Sequence, residues 1–301
     1  MQGLMTVFYK ELADHFTSWR GIILFVMILL MGVLAIIGPS GAIESMRADV
    51  TAPTQFIFLR LFTAGSYSFA WRISMILIPI VGIVLGLDAI NSEKNSGTLS
   101  RLLAQPIYRD AVINGKFLEG IVTLAIMLTT TILIIGGIGL LQLGVAPTSE
   151  EVARLLLFWG TSILYGAFWL GLAILFSTLF AHVATSALTS IGIWVFFFFY
   201  TMTGFIAGQA QNPQAAIIAM RVSPLFLFQE SMSVILVPGA RTISEMLQLM
   251  SASGTRFIPG PLSLGQSLLT IWPQLAVIGG LTAALFAGSY VKFMREEIRS
   301  T

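Results

Sequence analysis

The chain has 301 residues, 56% of them hydrophobic and only 10% charged, with a mean hydropathy of +0.89. Soluble domains carry about a quarter charged residues, so this composition describes an integral membrane protein. A formal net charge of +2 without a basic stripe argues against nucleic acid as a partner, and the absence of cysteine removes disulfides, thiolate metal sites and cysteine nucleophiles.

At the N-terminus, Met5, Phe8, Leu12, Phe16 and Trp19 recur every three or four residues, opposite Lys10, Glu11, Asp14 and His15. This pattern predicts an amphipathic helix over residues 1–20, lying in the cytoplasmic membrane interface. The apolar run that follows is long for a signal peptide and lacks a clear A-x-A site, so 21–38 is expected to be a retained first span. Residues 39–68 form the first external segment, in which Phe56, Phe58, Leu61 and Phe62 around Arg60 predict an interfacial helix. Trp71 and Arg72 then mark a membrane boundary, since each has one wet and one apolar end. The second span, 68–88, contains Pro79 and the pair Gly82 and Gly86, whose spacing suits close helix packing but also arises by chance.

Between this span and the next lies a polar island, Asp88 to Lys116, which must sit outside the membrane. Asn95 or Ser96 can cap a short helix there, Pro106 stops it, and Leu99, Leu102 and Leu103 share one face. The product is a two-turn helix with a leucine knob. Spacing alone fits docking into another protein and lying flat in headgroups, or under its own bundle, equally well.

The third span is expected over 117–142. Its Glu119 needs a partner at that depth, and Lys116 three residues earlier is the predicted one. Thr123 and Thr129 to Thr131 are expected to bond their own backbone. Residues 147–151 make an external turn, 155–180 a fourth span, and 181–183 a cytoplasmic turn. The fifth span, 184–206, carries the pairs Thr185/Thr189 and Ser186/Ser190, a polar stripe that either lines a translocation path or satisfies itself. Its aromatic block, Phe196 to Tyr200, suits packing, lipid contact or a lipophilic substrate. Residues 209–265 should be external. Within them Leu225 to Val237 is too short to cross and fits a re-entrant or interfacial segment. The sixth span covers 268–291. Every lysine (Lys10, Lys94, Lys116, Lys292) falls on one side of this six-span scheme, which puts both termini in the cytoplasm. His15 and His182 are far apart, and each reads as an ordinary interfacial residue.

The pattern Asp88, Glu93, Gly97-Thr98-Leu99, Leu102-Leu103, Pro106, Arg109 and Gly115-Lys116, together with Lys10-Glu11-Leu12 near the start, resembles the ABC-2-type transporter permeases. The likeness is to the subgroup that includes the permease of nitrous-oxide reductase maturation and many bacterial efflux permeases. It implies one all-α transmembrane domain over 1–301: six spans, an interfacial N-terminal helix, a coupling helix in 89–116 and a re-entrant segment before span six. It further implies an exporter of the prokaryotic inner membrane, built from two such chains, as a homodimer, and two separate ATPase subunits that hold ATP and Mg. Glu93, Arg101 and Arg109 are the charges expected to set partner choice. No G-x-x-x-x-G-K-[ST] phosphate loop occurs, nor any paired-carboxylate, Ser/His/Asp or metal-ligand constellation at membrane depth, so the chain is expected not to be an enzyme and to bind no cofactor itself. Two alternatives stay open: a maturation permease moving a small sulfur-containing species, and a nucleotide-independent scaffold or pore.

Overall fold

A computed structural model describes residues 2–37, 56–63, 69–98, 108–208, 213–239 and 261–295. Among these the secondary structure is entirely helical: α1 (Gln2–Thr17), α2 (Trp19–Ile37), α3 (Ile57–Thr63), α4 (Phe69–Arg72), a π turn (Ile73–Leu77), α5 (Ile78–Gly86), α6 (Asn91–Asn95), α7 (Arg109–Leu143), α8 (Ser149–Leu179), α9 (Val183–Gly208), α10 (Pro213–Met220), α11 (Pro224–Leu236) and α12 (Leu264–Arg295).

Five helical stretches among the described residues are long and apolar enough to cross a membrane, six if the bent pair α1–α2 is counted as one. The bend is 68°. It is built at Ser18, whose hydroxyl donates to the His15 carbonyl and accepts the Gly21 N–H. A Cβ at Gly21 would overlap that same carbonyl oxygen, so the elbow requires glycine. α2 alone is 19 residues, about 28 Å, close to the thickness of a bilayer core.

α8 is the hub. Buried over 72% of its apolar stretch, against 11% for α9, it packs along both α5 and α12. The α5 seam depends on small residues. A Cβ at Gly82 would lie 2.8 Å from the Gly166 carbonyl oxygen, and one at Gly86 would lie 2.8 Å from the Ala173 Cβ. The two backbones are therefore as close as glycine permits.

Pro79 explains the π turn above α5. Ile78 donates its N–H five residues back, to Ile73, and Pro79 has none to give, so the Ser74 and Met75 carbonyls lack intrahelical donors. Neighbouring spans supply them: the Tyr165 hydroxyl donates to Ser74 O (3.1 Å) and the Trp194 indole to Met75 O (2.9 Å).

Several expectations change in detail. α3 forms where Phe58, Leu61 and Phe62 predicted a helix, but those side chains are buried in the bundle against α7 rather than spread in an interface. Glu151 fixes its start by accepting the Phe58 N–H at 2.7 Å. α7 begins at Arg109, inside the expected polar loop, and α8 at Ser149, behind a Thr148–Glu151 capping box. Helices outrun the apolar runs because backbone hydrogen bonding continues through polar turns once a cap or a packed face supports them. α11, 13 residues and buried throughout, is too short to cross and packs on α8 and α12. The knob residues Leu99, Leu102 and Leu103, with Arg101 and Pro106, lie outside the described residues.

Candidate functional site at the elbow of the first helix

The start of the polar island is stitched into the bundle from three sides. At its entry, Asp88 pairs with Arg20, the second residue of α2. Next, the Ser177 hydroxyl of α8 accepts the N–H groups of both Ile90 and Asn91, at 2.9 and 3.2 Å, in place of a cap from the segment's own side chains. Asn95 donates to the Ala181 carbonyl (2.9 Å), which ties α6 to the turn between α8 and α9. Ser96 bonds back to Ser92 and across to Thr98. Beyond Thr98, the helix that Asn95 or Ser96 is expected to cap falls outside the described residues. Gly97 sits at φ +68°, a left-handed turn that glycine adopts without strain, and directs the chain toward the knob.

Beside this segment α1 packs on α7. At the closest approach a Cβ on Gly115 would be 3.0 Å from the Val7 side chain. The helix face turned inward is mixed: Val7 is buried on it, and two polar residues share it. Glu11 and His15 point into the protein, while Met5, Phe16 and Trp19 are exposed and Phe8 and Leu12 are half-buried. The ion pairs explain that choice. Lys116 of α7 reaches Glu11 (2.9 Å) and Glu93 (3.0 Å), and Lys10 reaches the same two carboxylate oxygens at 3.1 and 3.6 Å.

The expected local pair between Lys116 and Glu119 does not form. Two carboxylates from other elements outcompete the one three residues along, and Glu119 takes His15 instead (3.2 Å) together with the Thr123 hydroxyl (2.7 Å). His15, read from sequence as an ordinary interfacial residue, is therefore the partner of a buried carboxylate. The sequence offered one signal for it: His15 and Glu11 are four apart on the face opposite the apolar stripe.

These groups line a cleft of ≈ 510 Å³ that also includes Asp14, Ser18, Trp19, Leu24 and Val84. Their charges tune one another. Burial works to lower the His15 pKa, but the hydrogen bond to and charge of Glu119 outweigh it and hold the imidazole above its ordinary value. Burial likewise works to raise Glu11, yet Lys116 and Lys10 keep its carboxyl below the usual range. Lys10, opposed by its own burial, is raised by Glu11, Glu93 and Asp14. Each shift favours the charged form of its group.

The other predicted positions fall elsewhere. Thr98, exposed, caps back onto the Glu93 carbonyl (3.2 Å), and Arg109 opens α7. On α9 the Thr189 and Ser190 hydroxyls each donate four residues back, to Thr185 and Ser186, at 2.8 Å. Ser186 and Ser190 are buried and Thr185 is exposed, so the stripe is split between two faces.

At the opposite end of the bundle the structure adds two clusters that the sequence reading missed. Arg154, one residue before the expected start of the fourth span, is fully buried in α8. It donates to the Ile235 and Leu262 carbonyls, to Ser267 and to Glu150, and its guanidinium lies 5.3 Å from the centre of the Phe56 ring. Glu230 of α11, only 2% exposed, accepts two hydrogen bonds from Arg221 (2.7 and 3.0 Å) and one from Gln274 of α12 (3.0 Å).

The model of the ABC-2 family transporter protein matches residues 5–298, which takes in the elbow, the polar island and all the spans. The chain belongs to the ABC-2 transporter family. Two relatives agree. The probable ABC transporter permease protein NosY of Pseudomonas aeruginosa is 30% identical over 203 residues, covering 65% of this chain and 67% of the relative. The protein of the same description from Stutzerimonas stutzeri is 28% identical over 204 residues, with the same coverage. This ABC-2 chain is a multi-pass membrane subunit of an ABC transporter, and membership of the family implies association with an ABC ATPase subunit.

Proposed function

We propose that this chain is the permease of an ATP-driven exporter, and that the polar segment between α5 and α7 receives the motion of a separate ATPase. The supporting observation is where the segment is anchored. It leaves α5, whose glycines seat it closely on the hub helix, enters α7, and is ion-paired to the α1–α2 elbow between them. With the Ser177 bonds to α8, a displacement of the segment would thus reach five helices at once.

In this reading two permease chains and two ATPase subunits assemble in a prokaryotic inner membrane, with both termini and the elbow cleft in the cytoplasm. ATP and Mg reside on the ATPase, and this chain holds neither. The knob of Leu99, Leu102 and Leu103 enters a cleft of the ATPase, where burying each leucine contributes about 1.5–3 kcal/mol. Arg101 and Arg109 at its flanks tune the choice of partner. Nucleotide drives transport only through a difference in the ATPase's affinity for the two states of the spans. A nucleotide-independent pore fits less well, because a pore needs a sustained polar face, whereas the Thr185 and Ser186 pairs of α9 fall on two faces and the Thr189 and Ser190 hydroxyls bond their own helix.

The deciding experiment replaces Leu102→Glu with Leu103→Glu in the complex. The expected result is weakened co-purification of the ATPase and ATP hydrolysis no longer linked to transport. Full retention of both would sink the assignment.

A further inference from the structure

Lys10, Glu11, Glu93 and Lys116 form a closed square of charge in which each lysine nitrogen faces the same two carboxylate oxygens, at 2.9–3.6 Å. Two positive and two negative charges balance. The three elements they come from are otherwise joined unequally. α1 and α7 also share apolar packing at Val7 and Gly115, whereas the square's sole member from the polar segment is Glu93. Lys116 is the innermost of the four, its side chain 6% exposed. Those of Glu11 and Glu93 are 13% and 14% exposed and that of Lys10 is 51%, so solvent screens the two Lys116 pairs weakly and the two Lys10 pairs more strongly. Glu93 turns its Oε1 into this square, and its other carboxylate oxygen is buried without a hydrogen-bond partner. Together with Asp88–Arg20, the square fastens both ends of Asp88–Glu93 to the elbow.

From this geometry we infer that the four residues are a latch: they make α1 move as one body with the polar segment, so that α1 is a transmission element of the transporter. They are positioning residues that act through the segment, and the inference rests on the coupling function proposed above. Balance of charge is what the latch requires, and the sign at any one position is not. Inverting all four charges at once restores every attractive pair, whereas inverting Glu93 alone sets three cations around one carboxylate. A Glu93 that served by touching the ATPase would not be rescued in this way.

The chain lacks cysteine, so a single Tyr9→Cys on the exposed side of α1 can carry an environment-sensitive fluorophore without background. The labelled permease is purified with its ATPase and compared without nucleotide and with ATP plus vanadate. We expect a nucleotide-dependent signal in the parent, its loss in Glu93→Gln and Glu93→Lys, and its return when Glu93→Lys is combined with Lys10→Glu, Glu11→Lys and Lys116→Glu. Co-purified ATPase and the melting temperature are measured in every variant, so that a signal lost through misfolding is recognised. A parent that fails to retain the ATPase overturns the coupling function itself. A parent that responds while Glu93→Gln responds equally overturns the latch alone, and so does a folded, ATPase-bound quartet that stays silent.

Discussion

Arg154 occupies a fully buried position with its donors spread over two backbone carbonyls, a serine and Glu150, so its loss leaves several groups unpaired together. Arg154→Met should lower stability by about 3 kcal/mol, seen as an earlier unfolding midpoint in detergent. Arg154→Lys should recover only part of it, since one ammonium cannot span a planar fork of donors. An unchanged midpoint would show the network to be ornamental. His15 gives a prediction in pH. Its folded pKa is raised above the unfolded value of 6.5, so its pairing with Glu119 contributes fully below about pH 6.5 and is lost as pH rises through the higher folded value. The gap in melting temperature between the parent and His15→Gln should therefore be widest near pH 6 and shrink on the alkaline side. Glu11, held below the carboxylate range, stays ionised across that window and adds no slope there. A gap that widens with pH would contradict the assigned pairing.

The behaviour of the spans turns on where small residues stand. The atoms facing Gly82 and Gly86 include backbone of α8 that cannot rotate away, in contrast to the open space around Gly137 of α7. Gly82→Ala should cost about 1–3 kcal/mol by forcing α5 off α8. Gly137→Ala should be neutral or stabilising, because alanine is the better helix former. Equal effects of the two on thermal unfolding would refute the close seam. The second span is also the one whose hydrogen-bond ladder is broken, at Pro79, and mended by Tyr165 and Trp194. Its helical register is thus held from outside, by the spans beside it.

For the molecule as a whole, orientation is the testable consequence of the lysine count. With the elbow cytoplasmic, Ala146→Cys should react with a membrane-impermeant maleimide added to intact cells, and Ser96→Cys only after permeabilisation. The reverse pattern would invert the topology. Much of the architecture was legible in the chain itself: apolar runs near bilayer length dictate how many candidate spans there are, and a polar island between two of them dictates that it lies outside the membrane. The family likeness was legible in the same island, because its glycine, proline and leucine spacing is local. What stayed hidden was pairing. Lys116 has an acceptable carboxylate three residues away, and no local rule says that it will prefer Glu11 and Glu93, 105 and 23 positions distant. Likewise Arg154 reads as a cation at the edge of the fourth span until α11 and α12 close over it. Hydrophobicity acts on each segment independently and so is written along the sequence. A buried charge is satisfied by whichever opposite group the packing delivers, and only the tertiary structure decides that.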